Sequence, residues 1–127
     1  MKHYAHRGRV RDGDVDNTLE AFDAAIRLGV TGIETDVRPC RDGTLVLYHD
    51  RRLADGSLVA ELGLEELRTR AGVEVPTLVD ALAAWPHISW NLEIKDRDAA
   101  SGLVACVRER NPRHVLVSSF DHVVVAH

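Results

Sequence analysis

Four short polar clusters, each set inside a run rich in Val, Ile and Leu, constrain this chain more than any other feature. They are His6-Arg7-Gly8, Glu34-Thr35-Asp36, His49-Asp50 and Glu93-Ile94-Lys95. An apolar core does not tolerate unpaired charge, so charged groups that recur where strands end belong at the open end of a sheet, at a site. Carboxylates hold hard cations, histidines move protons, and Arg and Lys hold anions such as phosphate. Together the clusters read as a metal-assisted phosphoester site.

The elements that carry these clusters follow in order. Residues 3–7 form a short extended run that ends at Gly8, and a polar loop from Arg9 to Asp16 follows. Asn17, with Glu20 three residues on, predicts a capped helix whose Leu19, Phe22 and Ile26 keep helical spacing and which stops at Gly29. Gly32–Val37 alternates, so Glu34 and Asp36 share one strand face about 7 Å apart. Arg41-Asp42-Gly43-Thr44 is a turn, and Leu45–Tyr48 a third strand that delivers His49. Leu64–Arg70 reads as a short helix. Pro76-Thr77 opens a clearer one, with Leu78, Ala81, Leu82 and Trp85 on one stripe. Trp90–Lys95 is a fourth strand with Glu93 and Lys95 on one face. Residues 98–110 form a helix, Val115–Phe120 a fifth strand, and the last residues begin another helix.

Strands alternating with helices predict a parallel α/β sheet, and polar groups at successive strand ends suit a (β/α)₈ TIM barrel with its site at the C-terminal face. The stretch from Val37 to Leu45 is too short for a helical crossover, which needs about a dozen residues. Five strands also fall short of a barrel of about 250 residues. The expectation is therefore one α/β domain over residues 1–127: a partial barrel, open and truncated after strand five, incomplete at its C-terminus.

The chain has 127 residues and a formal charge of −4, without a basic stripe, which argues against nucleic-acid binding. No run reaches the roughly 18 apolar residues of a membrane span, and the start lacks the apolar region of a secretory signal. Cys40 and Cys106 lie far apart without metal-type spacing. They read as reduced thiols and small apolar fillers, which places the chain in the cytoplasm.

The ordered set Tyr4-Ala5-His6-Arg7-Gly8, Asn17-Thr18-Leu19-Glu20-Ala21-Phe22, Ile33-Glu34-Thr35-Asp36-Val37, Asp42-Gly43, Tyr48-His49-Asp50, Pro76-Thr77-Leu78, Leu92-Glu93-Ile94-Lys95 and Ser119-Phe120 closely resembles the glycerophosphodiester phosphodiesterase family, over essentially the whole chain. The resemblance implies a barrel of the phospholipase C-like phosphodiesterase type. It implies acid and base roles for His6 and His49, metal ligation by Glu34, Asp36 and Glu93, and phosphate contacts by Arg7 and Lys95. The substrate implied is a small glycerophosphodiester, cleaved to sn-glycerol 3-phosphate and an alcohol. Asp16 departs from the pattern, standing where the family usually has Glu.

An all-oxygen ligand set favours Mg²⁺ or Ca²⁺ over Zn²⁺. Against the ligand reading stands an exposed strand face, which the apolar neighbours Ile33 and Val37 and the repeat at Glu93 disfavour. Gly8 beside Arg7 permits close backbone approach and favours phosphate chemistry over a merely buried His6. Asp50 is either an orienting partner of His49 or a turn residue. His3, His87, His114, His122 and His127 read as solvated or packing residues, Trp85 and Trp90 as core or rim packing, and Arg51-Arg52 as solvated. Two rival functions remain: a non-catalytic barrel fragment that self-associates through open sheet edges, and a cyclising phospholipase D-like enzyme. The relatives of the latter are secreted and disulfide-bonded, signs this chain lacks.

Overall fold

Alternation along the strands sorts the residues into two faces. On β2 (Gly32–Pro39), Ile33 and Val37 are fully buried against helices, and Glu34 and Asp36 turn the other way. On β4 (Ser89–Ile94), Trp90, Leu92 and Ile94 join the same apolar layer while Asn91 and Glu93 face opposite. The structure is a computed structural model that describes residues 4–110 and 114–119. Phe120 and the expected terminal helix lie outside the described residues, as do His3, His122 and His127.

The remaining elements are β1 (Tyr4–His6), α1 (Leu19–Arg27), β3 (Leu45–Leu47), α2 (Leu64–Ala71), α3 (Leu78–Ala84), α4 (Ala100–Arg110) and β5 (His114–Ser119). Short 3₁₀ turns at Val59–Glu61 and Arg97–Ala99 precede α2 and α4. The sheet runs β1-β2-β4-β5, every neighbouring pair parallel, with helices in the crossovers. This is the βα repeat of an eight-stranded barrel, present in part. The third strand does not join that series. It pairs antiparallel with β2, Val37 opposite Leu47 and Pro39 opposite Leu45. The segment too short for a crossover is thus a hairpin. Its turn is closed by Cys40 N–H donating to Thr44 O at 2.9 Å and by Gly43 at φ 86°.

Phe22 of α1, Leu78, Ala81 and Leu82 of α3 and Leu103 of α4 pack on the apolar sheet face. Phe22 and Trp90 are fully buried and meet edge-to-face with centroids 5.7 Å apart. Burial of each such side chain contributes on the order of 1.5–3 kcal/mol. The Trp90 indole N–H donates to Trp85 O at 3.2 Å, which satisfies the polar edge of the ring. A second cluster, Cys40, Val46, Leu53, Val59, Leu62, Leu67 and Val75, seals the hairpin against α2.

Two local expectations change. Thr18, not Asn17, caps α1, its Oγ1 accepting from Ala21 N–H at 3.2 Å. Glu20 therefore falls one position short of a capping box. Gly8, at φ 75°, does give room for a close approach, but the group that fills it is the Phe22 ring, which a Cβ would strike.

Candidate active site

Strand register alone assembles the site. In the parallel ladders His6 lies beside Glu34, and Asp36 beside Glu93. Neighbouring strands are about 4.8 Å apart, so groups of equal parity in register stand side by side. Glu34, Asp36 and Glu93 accordingly bring one carboxylate oxygen each to within 4.8 Å of one another. Burial, and then the nearby Asp36 charge, push the Glu34 carboxyl above its usual range. His6 Nε2 lies 3.2 Å from Glu34 Oε2 while most of its ring faces solvent.

Two cations flank the carboxylates. The backbone N–H of Arg7, a residue held at φ 53°, donates to Glu34 Oε2 at 3.2 Å. Its Nε lies 3.6 Å from Asp36 Oδ2, and its Nη1 donates to Asp16 Oδ2 at 3.1 Å. Arg9 Nη1 in turn donates to Asp16 Oδ1 at 3.3 Å. Lys95 Nζ donates to Glu93 Oε1 at 3.1 Å and stands 3.8 Å from Asp36 Oδ1. Asp16, one methylene shorter than the family's usual Glu, still reaches Arg7.

Asp36 is 1% exposed, and its two oxygens differ. Oδ2 accepts from Asn17 Nδ2 at 3.0 Å, whereas Oδ1 and Arg7 Nε are the buried side-chain atoms without a hydrogen bond among the described residues. A buried carboxylate oxygen left without a donor, in an all-oxygen cluster where three carboxylates face two cationic side chains, fits a hard divalent cation.

His49 reaches the site through the hairpin. Tyr48 N–H donates to Asp36 O at 3.1 Å, and Arg38 holds the His49 carbonyl with two hydrogen bonds, at 3.0 Å from Nε and 2.8 Å from Nη2. Burial pulls the Arg38 guanidinium below its usual value. His49 Nδ1 lies 2.8 Å from Asp50 Oδ1, so Asp50 takes the orienting position rather than that of a bare turn residue. That pairing leaves Nε2 as the nitrogen free to exchange a proton. A cavity of about 350 Å³ is lined by Arg9, Asp16, Asn17, Tyr48, His49 and Asp50, among others. A second, of about 340 Å³, is lined by His6, Arg7, Arg9 and Asp16. The Arg9–Asp16 pair lines both cavities, His6 lining one and His49 the other.

All seven candidate residues thus gather at the C-terminal end of the sheet. Sequence reasoning missed four further contributors: Asn17, Thr35, Arg38 and Arg9. Asn17 was legible as a cap and as part of a resembling motif, with no role at the site. Its other signal was its residue type, since asparagine tolerates left-handed backbone better than most. Arg38 shares the strand parity of Glu34 and Asp36, a signal available in the alternation. Elsewhere the bland readings hold: His87 is exposed, Trp90 is core, and burial pushes the Cys40 thiol up to about 11.

The family model for the glycerophosphoryl diester phosphodiesterase family matches residues 6–125. A probable glycerophosphodiester phosphodiesterase 2 of Mycobacterium tuberculosis (strain ATCC 25618 / H37Rv) is 40% identical over 125 residues, covering 92% of this chain and 47% of that protein. A glycerophosphodiester phosphodiesterase of Caldanaerobacter subterraneus subsp. tengcongensis is 33% identical over 140 residues, covering 93% of this chain and 57% of that protein. The crystal structure of a Thermotoga maritima glycerophosphodiester phosphodiesterase superposes with a TM-score of 0.88 at 28% identity, over 98% of this chain and 56% of the other. Such neighbours are TIM barrels, and the chain spans about half the length of the relatives it matches. No helix among the described residues is long and apolar enough to cross a membrane. A match of this extent, on residues that converge at one end of a parallel sheet, settles the lineage: the chain belongs to the glycerophosphoryl diester phosphodiesterase family.

Proposed function

We propose that this chain carries the cation-holding and acid–base groups of a phosphodiesterase that cleaves glycerol phosphodiesters to sn-glycerol 3-phosphate and an alcohol. The observation that carries the reading is the convergence of Glu34, Asp36 and Glu93 beside His6 and Arg7, with one buried Asp36 oxygen without a hydrogen bond. The names of the relatives give the substrate class.

Glu34, Asp36 and Glu93 would hold the cation, Mg²⁺ or Ca²⁺, which would supply Lewis-acid polarisation when bound. Arg7 and Lys95, already against the carboxylates, offset negative charge that grows on the phosphoryl group. One histidine takes the proton of the attacking glycerol hydroxyl and the other protonates the leaving alkoxide; water, deprotonated in turn, then opens the resulting cyclic phosphodiester to sn-glycerol 3-phosphate. Asp50 on Nδ1 keeps His49 in the tautomer that works through Nε2. Asp16 steadies Arg7 from the solvent side. The substrate is a small molecule, and Cys40 and Cys106 as reduced cysteines fit the reducing cytoplasm.

Release of glycerol 3-phosphate from glycerophosphocholine, with and without EDTA, tests the reading. Release that EDTA abolishes and added Mg²⁺ or Ca²⁺ restores is the expected result. Equal release with EDTA present removes the cation from the mechanism, and no release from any glycerophosphodiester removes the activity.

A further inference from the structure

Among the described residues, Arg7 at φ 53° and Asn17 at φ 58° are the non-glycine positions in left-handed backbone, and both belong to this site. Such a conformation is strained for a residue with a Cβ and persists only where the surroundings fix it. At Asn17 they do so from three sides. Its N–H donates to Arg7 O at 2.8 Å, its Oδ1 accepts from Thr35 Oγ1 at 2.8 Å, and its Nδ2 donates to Asp36 Oδ2 at 3.0 Å. The residue is 2% exposed.

Neither neighbouring chemistry nor helix capping accounts for this placement. Thr18 caps α1 without help from Asn17. An asparagine that merely shapes a turn bonds backbone a residue or two away. Here both side-chain bonds reach β2, 18 and 19 positions along the chain. The amide has one workable orientation. An ionised carboxylate only accepts, so the atom facing Asp36 is Nδ2, and the Thr35 hydroxyl is left to donate to Oδ1. Asp36 therefore sets the orientation of the amide and the Thr35 hydroxyl holds it there, and the amide occupies one oxygen of Asp36 while the other stays without a hydrogen bond.

We propose that Asn17, locked by Thr35, is a positioning residue for the cation site: it holds Oδ2 of Asp36 and so directs the second oxygen to the point where Glu34 and Glu93 converge. This rests on the cation reading above. Groups that orient a metal's ligands are typically worth about 10–100-fold in metal affinity.

Calorimetric titration of the folded protein with Mg²⁺ and, separately, Ca²⁺ tests the proposal in wild type, Asn17→Gly, Thr35→Val and the double variant. Glycine keeps the left-handed backbone and removes only the amide. Asn17→Gly should raise the half-saturating cation concentration about 10–100-fold. Thr35→Val should raise it less, and the double variant should be no worse than Asn17→Gly, because Thr35 acts through Asn17. A wild-type midpoint in Asn17→Gly overturns the proposal, as does a Thr35→Val effect that adds in full to it. Should Asn17→Gly not fold, by circular dichroism, Thr35→Val decides alone: a raised midpoint supports the role and an unchanged one overturns it. A wild-type protein that takes up neither cation overturns the cation reading itself, and the inference with it, before any substitution is considered.

Discussion

Arg38 clamps the carbonyl of His49 from two nitrogens, at 3.0 and 2.8 Å. The clamp ties β2, which bears Glu34 and Asp36, to the residue just past β3 that bears the second histidine. Arg38→Met keeps most of the packing and removes both bonds, so His49 loses its fixed distance from the carboxylates. Turnover should fall by up to about 10²-fold, the cost of a misplacement near 1 Å, with cation affinity close to wild type. Steady-state assays beside a cation titration check this. An unchanged kcat would show that the hairpin holds His49 without the clamp.

His6→Ala and His49→Ala should each reduce turnover by about 10²–10⁴-fold while cation affinity stays nearly intact. Glu93→Gln should do the opposite first, raising the cation concentration needed for half-maximal rate. Rate against cation concentration separates the two classes. A histidine variant of near-normal rate would leave the acid–base role to another group.

Much of this arrangement was open to inspection in the sequence because it depends on parity. Strand alternation put Glu34 with Asp36 and Glu93 with Lys95, and parallel pairing then made them neighbours. What alternation does not carry is the path of loops. Asn17 and Thr18 are both good cap residues, and only tertiary contact with Asp36 decides that the second one caps. The hairpin was half legible: its length excluded a crossover, but β3 was counted in line with strands to which it does not run parallel. Arg9 and Arg38 carried no sequence reading of their own, since their partners, Asp16 and the His49 carbonyl, are fixed by folding.

The loop between β1 and α1 should respond to acid. Hydrogen bonds from Arg11 and the backbone hold the Asp14 carboxyl down to about 2, against an ordinary 3.8. A lowered carboxyl contributes stability that is complete above its unfolded value and is lost as pH falls through the folded one. Loop contacts should therefore loosen between about pH 4 and pH 2, and Asp14→Asn should remove that step. Amide chemical shifts of residues 9–16 followed on titration measure it, and a step that survives in Asp14→Asn would assign it to another carboxylate.

The ends of the described sheet, β1 and β5, carry exposed Tyr4 (43%) and Leu116 (60%). Unpaired edges with apolar side chains pair with other chains unless charge discourages them. The purified 127-residue chain should scatter light as a species larger than the monomer, and Leu116→Lys should shift it toward the monomer. A monomer at all concentrations would show that these edges are already protected.

The left-handed backbone at Arg7 and Asn17 has a consequence for how this protein can be improved. Glycine would relieve strain at both positions, and a search for thermostability alone would favour it there. Each replacement would strip the candidate site of the guanidinium or the amide that meets Asp36. Stability and chemistry therefore compete at two identifiable positions in the connection between β1 and α1, and an engineer seeking a hardier protein gains by leaving both untouched and working on the helical layer behind the sheet.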